Sequence, residues 1–248
     1  MNQVVILAAG KGTRMGSDLP KALVPVNGRP MISYILETVM ASGLDPEPIV
    51  VVSPNNEKII REALGEYSLK YAIQEEQLGS GHAVKAAKPL IKTETKQIFV
   101  LYCDHPFLKA ESLLKAAAAP TESVLVMTTK LADFSGWHQN FNHWGRFIRD
   151  AAGNIEKIVE FKDASPEQRA ITEVNPGFMV FSNDWLWENI EKISNNNAQK
   201  EYYLTTLPEL ATASGYQVSS IPIEPLEALG INSQEELFLA EGAVAESL

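Results

Sequence analysis

Val4-Val5-Ile6-Leu7-Ala8-Ala9-Gly10-Lys11-Gly12-Thr13-Arg14-Met15 begins as four apolar residues and empties into a run of small ones. Four consecutive apolar positions suit a strand buried on both faces, as in a parallel sheet. A loop of alanines and glycines lets backbone N–H groups come close to phosphate oxygens. Seven residues after Arg14 comes Lys21, within Leu19-Pro20-Lys21-Ala22-Leu23-Val24-Pro25-Val26, so two fixed positive charges accompany the loop. Together they predict a nucleotide site at the end of the first strand. The loop is not a Walker A motif, because Gly12 is followed by Thr13-Arg14. It is not a dinucleotide fingerprint either, because position 15 is Met. A bare Gly-x-Gly is equally an ordinary strand-to-helix turn; Arg14 and Lys21 are what favour the phosphate reading.

Outward from this stretch, strand-like and helix-like segments alternate. Strands are expected at 4–8, 48–52, 71–73, 98–101 and 124–129, with helices at 31–42, 57–64, 81–90 and 110–119. That β-α-β rhythm predicts a mostly parallel sheet covered on both faces, with ligands beyond the carboxyl ends of the strands. The second half predicts a hairpin (146–149 and 155–160 around Asp150-Ala151-Ala152-Gly153-Asn154) and a strand at 174–181. Helices at 184–193 and 202–214, a strand at 218–222 and a final helix within 233–248 follow. We read 1–248 as a single domain, with a lobe inserted at about 135–170.

Bulk properties narrow the function. A formal net charge of −10 argues against a nucleic-acid surface, so a phosphate ligand needs a local positive pocket. Cys103 is the only cysteine, which excludes an intrachain disulfide and a cysteine zinc cluster. No run approaches the roughly 18 apolar residues of a membrane helix. The chain opens on a strand without a charged leader, so a cytoplasmic location with no membrane partner is expected.

Two further loops carry chemistry. Gln74-Glu75-Glu76-Gln77-Leu78-Gly79-Ser80-Gly81-His82 follows the third strand. Gln74 and Gln77 each donate and accept, which suits a base edge, and Ser80 is placed to cap the next helix. A polar connection before a capped helix would look the same. After the fourth strand comes Tyr102-Cys103-Asp104-His105-Pro106. Asp104 is either a Mg²⁺ ligand on substrate phosphates or a capping residue. His105 has no evident acid–base partner and is read as a bystander, and Ser53, Trp137, His138, His143, Trp185 and Trp187 as structure.

These three loops, together with five second-half segments, resemble the sugar-nucleotide pyrophosphorylases. The segments are Gly145-Arg146-Phe147-Ile148-Arg149, Ile158-Val159-Glu160-Phe161-Lys162-Asp163-Ala164, Glu173-Val174-Asn175-Pro176-Gly177, Asn197-Ala198-Gln199-Lys200-Glu201-Tyr202-Tyr203-Leu204-Thr205 and Gly230-Ile231-Asn232. The likeness is greatest to the uridylyltransferase domain of the bifunctional bacterial enzymes that make UDP-N-acetylglucosamine, and it covers nearly the whole chain.

The resemblance implies a Rossmann-like α/β fold of the nucleotide-diphospho-sugar transferase (GT-A-like) kind, with a mixed, mostly parallel sheet and a small inserted β lobe. It implies that Leu7, Ala8, Ala9, Gly10, Gly12, Thr13, Gln74, Gln77, Gly79 and Ser80 bind the nucleotide, and that Arg14 and Lys21 act on the phosphates. Tyr102, Gly145, Glu160 and Asn175 would shape a sugar pocket, and Asp104 and Asn232 would hold Mg²⁺. The expected substrates are UTP and a sugar 1-phosphate, N-acetylglucosamine 1-phosphate first; thymidine against uridine stays open, as does a non-catalytic sensor. Four positions depart from the family pattern: Cys103 and Lys200 for glycine, Pro176 for threonine and Thr206 for aspartate. All lie on the sugar side. No hexapeptide repeat is present, so acetyltransferase activity is not expected of this sequence.

Overall fold

A computed structural model describes residues 1–10 and 15–247, with 243–247 as backbone only. Gly12, Thr13 and Arg14 therefore lie outside the described residues. The first half runs β1 (Asn2–Leu7), the short hairpin β2 (Pro25–Val26) and β3 (Arg29–Pro30), α1 (Met31–Ser42), β4 (Ile49–Val52), α2 (Glu57–Ala63), β5 (Lys70–Ile73), α3 (Ser80–Ala86), β6 (Gln97–Tyr102), α4 (Ala110–Ala118) and β7 (Val124–Lys130). The second half adds β8 (Gly145–Arg149), β9 (Ile155–Val159), α5 (Pro166–Arg169), β10 (Glu173–Asn175), β11 (Met179–Ser182), α6 (Asn183–Asn189), α7 (Leu207–Ala213), β12 (Ser219–Pro222), α8 (Pro225–Ala228) and α9 (Gln234–Ser247).

Ten strands form one sheet in the order β5-β4-β1-β6-β11-β7-β10-β8-β9, with β12 on the free edge of β7. β5, β4, β1 and β6 are parallel neighbours, and β12 is parallel to β7. β11 runs against them between β6 and β7, and so does β10 where it pairs with β7. The fold is thus the mixed, mostly parallel α/β sheet expected of nucleotide-diphospho-sugar transferases.

Alternation along each central strand feeds two cores. Val4 and Ile6 pack with Val50, Phe99 and Leu101 under α1 and α4. Val5 and Leu7 pack with Ile49, Val51 and Val100 under α3, α6 and α7. Burial on both faces is why these strands read as unbroken apolar runs. Parallel register then sets the loops after these strands side by side: Leu7 lies opposite Val51 and Tyr102, and Val52 opposite Ile73. Among the described residues no helix is long and apolar enough to cross a membrane.

Three expectations need correction. The strand read at 174–181 is two strands, β10 and β11, running along the same β7 partner with a break at 176–178. Pro176 has no N–H for a ladder and Gly177 takes φ +88, which an extended strand does not allow. The helix read at 202–214 begins only at Leu207; Tyr203 is extended and 204–206 is a 3₁₀ turn. The helix read at 81–90 ends at Ala86, with a separate 3₁₀ turn ending at Leu90. The hairpin β8–β9 forms where its turn residues suggested. Asp150 Oδ1 accepts from the backbone N–H groups of Ala152 and Asn154 at 2.9 and 2.8 Å.

Candidate active site

A cavity of about 470 Å³ opens at the carboxyl ends of β1, β5 and β6. Leu7, Ala9, Gly10, Lys21, Gln74, Gln77, Gly79, Ser80, Tyr102 and Asp104 line it, joined by Ala83, Cys103 and Glu201. A larger groove of about 720 Å³ lies against Tyr216 on another face. It gathers Asp150, Glu156 and Glu209 against one lysine, the wrong sign for phosphate.

The loop after β1 is braced from below. Asn56, at the start of α2, donates from Nδ2 to the carbonyl of Ala8 at 3.0 Å, and the Ala8 N–H donates to Val51 O at 2.8 Å. The Ala8 methyl therefore faces the core rather than the cavity. Gln77 reaches across and donates from Nε2 to Ala9 O. Gln74 Nε2 lies 3.1 Å from Gly79 O, to which it donates, and 3.2 Å from His82 Nδ1. The amide nitrogen of Gln74 thus holds its own loop.

Gly79 has φ +108, and a Cβ on it would fall 2.8 Å from both N and O of Tyr202. Only glycine fits there. The close approach lets Tyr202 N donate to Leu78 O and Gly81 N donate to Tyr202 O, both at 2.8 Å. Ser80 does not cap α3: the N-cap is Gly79 without a side-chain bond, and the Ser80 hydroxyl instead accepts from Leu204 N at 3.0 Å. Tertiary contact has won over the local cap, and it ties the loop around Gly79 to the segment before α7.

At the end of β6 the charges converge. Lys21 Nζ donates to Asp104 Oδ2 and, at 2.6 Å, to Asn232 Oδ1. Ile231 N donates to Asp104 O at 2.9 Å, which fixes the spacing of the two oxygen-bearing residues, and Asn232 N donates to the Glu236 carboxylate. His105 Nδ1 stands 2.9 Å from Asp104 Oδ1. Burial alone would raise the Asp104 carboxyl; Lys21 and His105 outweigh it and hold the group well below the ordinary carboxylate range. Two hard oxygens thus meet at one cation position, which the Lys21 ammonium fills. That donor pair fits a small hard dication bringing water and phosphate oxygens of its own. Among the described residues no three His, Cys, Asp or Glu side chains form a metal-only cage.

The expected sugar-side residues gather about Tyr102. Gly145 lies opposite Asn175 in the β8–β10 ladder, and Asn175 Oδ1 accepts from Gly177 N at 3.0 Å. A Cβ on Gly177 would meet the Tyr102 ring at 2.6 Å. Glu160 follows β9 and accepts from Thr205 Oγ1 at 2.9 Å. Burial pushes the Glu160 carboxyl up, only partly offset by that hydroxyl. Burial likewise raises the Tyr102 phenol, which stays a hydrogen-bond donor, and lifts the Cys103 thiol to about 12, so it is neutral. Of the four, Tyr102 alone lines the 470 Å³ cavity.

Residues 4–198 match the family model described as a MobA-like NTP transferase domain. The chain belongs to that family. It is a nucleotidyltransferase domain, and curated relatives agree over nearly its whole length. The Bifunctional protein GlmU of Desulfotalea psychrophila is 39% identical over 242 residues, 96% of this chain and 69% of that protein. Those of Caldicellulosiruptor saccharolyticus (40%, 96% of this chain) and Cupriavidus necator (43%, 94%) are each matched over 50% of their own length. The chain thus spans about half the length of most of the relatives it matches.

Sequence reasoning missed three contributors to this site. Asn56 braces the first loop from 48 positions away and leaves no local signal. Glu201 reaches the cavity only because Tyr202 pairs with the loop around Gly79. His105, read as a bystander, stands with Nδ1 2.9 Å from Asp104 Oδ1.

Proposed function

We propose that this domain transfers a uridylyl group from UTP to a sugar 1-phosphate, N-acetylglucosamine 1-phosphate in the first instance, and works in the cytoplasm. The observation that carries the proposal is the meeting of Lys21, Asp104 and Asn232 at the rim of a cavity of nucleotide-loop residues. In this reading Leu7 to Gly10, Gly12, Thr13, Gln74, Gln77, Gly79 and Ser80 hold the nucleotide. A phosphate oxygen of the sugar 1-phosphate attacks the α-phosphorus in line, and pyrophosphate leaves with the electrons of the broken P–O bond. The attacking oxygen is already anionic at neutral pH, so no general base is required. Lys21 and Arg14 stabilise the charge that builds on the phosphoryl oxygens. Asp104 and Asn232 would hold Mg²⁺, which when bound neutralises phosphate charge. Glu160, Asn175, Gly145 and Tyr102 orient the sugar, Tyr102 through its phenol O–H.

A second reading keeps the transfer and changes the sugar. Cys103 borders the cavity with its side chain in the buried core cluster, and Pro176 sits at the β10–β11 break next to Asn175. Pyrophosphate release with Mg²⁺, over UTP, dTTP, CTP, ATP and GTP against several sugar 1-phosphates, tests both. UTP with N-acetylglucosamine 1-phosphate is the expected best pair, and Asp104→Asn should nearly abolish release while leaving the fold intact. Release with UTP and another sugar selects the second reading. Silence across the grid from folded, nucleotide-binding protein refutes transfer and leaves a sensor.

A further inference from the structure

His105 leaves β6 directly after Asp104, and its side chain is only 6% exposed. Ring edges of Phe178, Trp144 and Tyr102 surround it at centroid distances of 4.7, 5.5 and 6.1 Å. Gly230 closes the remaining side: a Cβ there would sit 2.9 Å from Nε2. Such a cage suits a hydrocarbon. An imidazole in it gives up the hydration of two nitrogens, and neither has an aligned hydrogen-bond partner among the described residues. The polar contact the structure does give the ring is Nδ1 to Asp104 Oδ1, at 2.9 Å. The other carboxylate oxygen, Oδ2, faces Lys21 and the position shared with Asn232. Gly230, two residues before Asn232, rests on the same ring.

We infer that His105 is a positioning residue for the cation site: it fixes the rotation of the Asp104 carboxylate and the distance to the Gly230–Asn232 segment. The inference rests on the reading of Asp104 and Asn232 as holders of a dication on nucleotide phosphates. The ring touches no reacting atom; it acts through Asp104. Groups that orient a ligating carboxylate in this way commonly change metal affinity 10–100-fold when removed.

The test is calorimetry of UTP binding to the whole protein, in EDTA and in Mg²⁺, reading the ratio of the two dissociation constants, with thermal unfolding alongside. His105→Leu fills the cage without a polar contact. It should melt at or above the wild-type temperature and lose about tenfold or more of the Mg²⁺-dependent gain in UTP affinity. His105→Asn puts an amide nitrogen at the place of Nδ1, and His105→Gln puts it at the place of Nε2. The asparagine variant should keep more of the gain than the glutamine variant, whatever their stabilities. A merely structural role gives the reverse for leucine, with affinity following stability. Wild-type gain in His105→Leu, or equal gains in the asparagine and glutamine variants, while Asp104→Asn loses it, overturns the role of His105 and leaves the cation reading standing. Undiminished gain in Asp104→Asn overturns both.

Discussion

Gly177→Ala is the substitution that most directly joins the fold to the site. The native φ of +88 is strained for any residue with a Cβ, by about 1–2 kcal/mol. The added methyl would sit 2.6 Å from Tyr102 Cε2 and 3.2 Å from Cδ2 and Cζ. Carbon atoms settle near 3.5–4.0 Å, so the ring must move by roughly an ångström. Tyr102 is the last residue of β6, hydrogen-bonded into the sheet opposite Leu7. The overlap therefore adds about 1–3 kcal/mol of overpacking. Lower unfolded-state entropy of alanine returns about 0.4–1 kcal/mol. The expected net loss is about 2–4 kcal/mol, a fall in Tm of about 5–15 °C at this chain length. Urea unfolding of Gly177→Ala, Tyr102→Leu and the double variant apportions it. Leucine removes the Cε2 atom, so the overlap share should vanish in the double variant, giving a coupling of about 1–3 kcal/mol. Additivity within about 0.5 kcal/mol would refute the reasoning, because it would mean that the ring and the glycine do not compete for space.

Other consequences can be measured in parallel. Lys200 holds φ +57 as a non-glycine residue. Lys200→Gly should therefore stabilise the protein by about 0.5–1 kcal/mol, the left-handed strain less the entropy of glycine, seen as a small rise in Tm. The raised Glu160 carboxyl makes the native state bind a proton that the unfolded chain has released, so stability falls as pH rises above the ordinary value of 4.5. Glu160→Gln should remove that fall: a higher Tm than wild type at neutral pH, equality in acid below the ordinary carboxylate range, and a raised KM for the sugar 1-phosphate. Lys21→Met should slow turnover at least about tenfold, as loss of one charge stabiliser does. It should also destabilise the fold at neutral pH. The low-lying Asp104 carboxyl contributes stability above its unfolded value, lost only as pH falls below it, so the difference from wild type should close in strong acid.

How much of this was legible in the sequence follows from where each signal lives. β1, β4 and β6 are buried on both faces, so each is written as a local apolar run, and parallel pairing alone then brings the loops after Leu7, Ile73 and Tyr102 together. The β10–β11 break was also written locally, in Pro176-Gly177, but apolar residues on both sides concealed it. The backbone turns there because Gly177 must pass beside the Tyr102 ring, a contact 75 positions away. Ser80 has the right type and place for a cap, yet its hydroxyl accepts from Leu204, 124 positions on. No local rule reports that competition.

The site residues divide the same way. Those proposed to meet a ligand through backbone or fixed charge, such as Gly79, Lys21 and Asp104, carry spacing that can be read along the chain. Those that meet them through another side chain do not: Asn56 acts through Ala8, Thr205 through Glu160 and His105 through Asp104. Each is a buried polar group facing another polar group, and burial is invisible until the sheet has closed over it. Such groups carry a desolvation penalty that apolar replacements would avoid. Their presence around one cavity is what a site held in geometry at the expense of stability looks like. It follows that apolar, shape-preserving replacements at His105 should raise stability and lower ligand affinity together, whereas the same kind of change in the β1–β4 core should do neither.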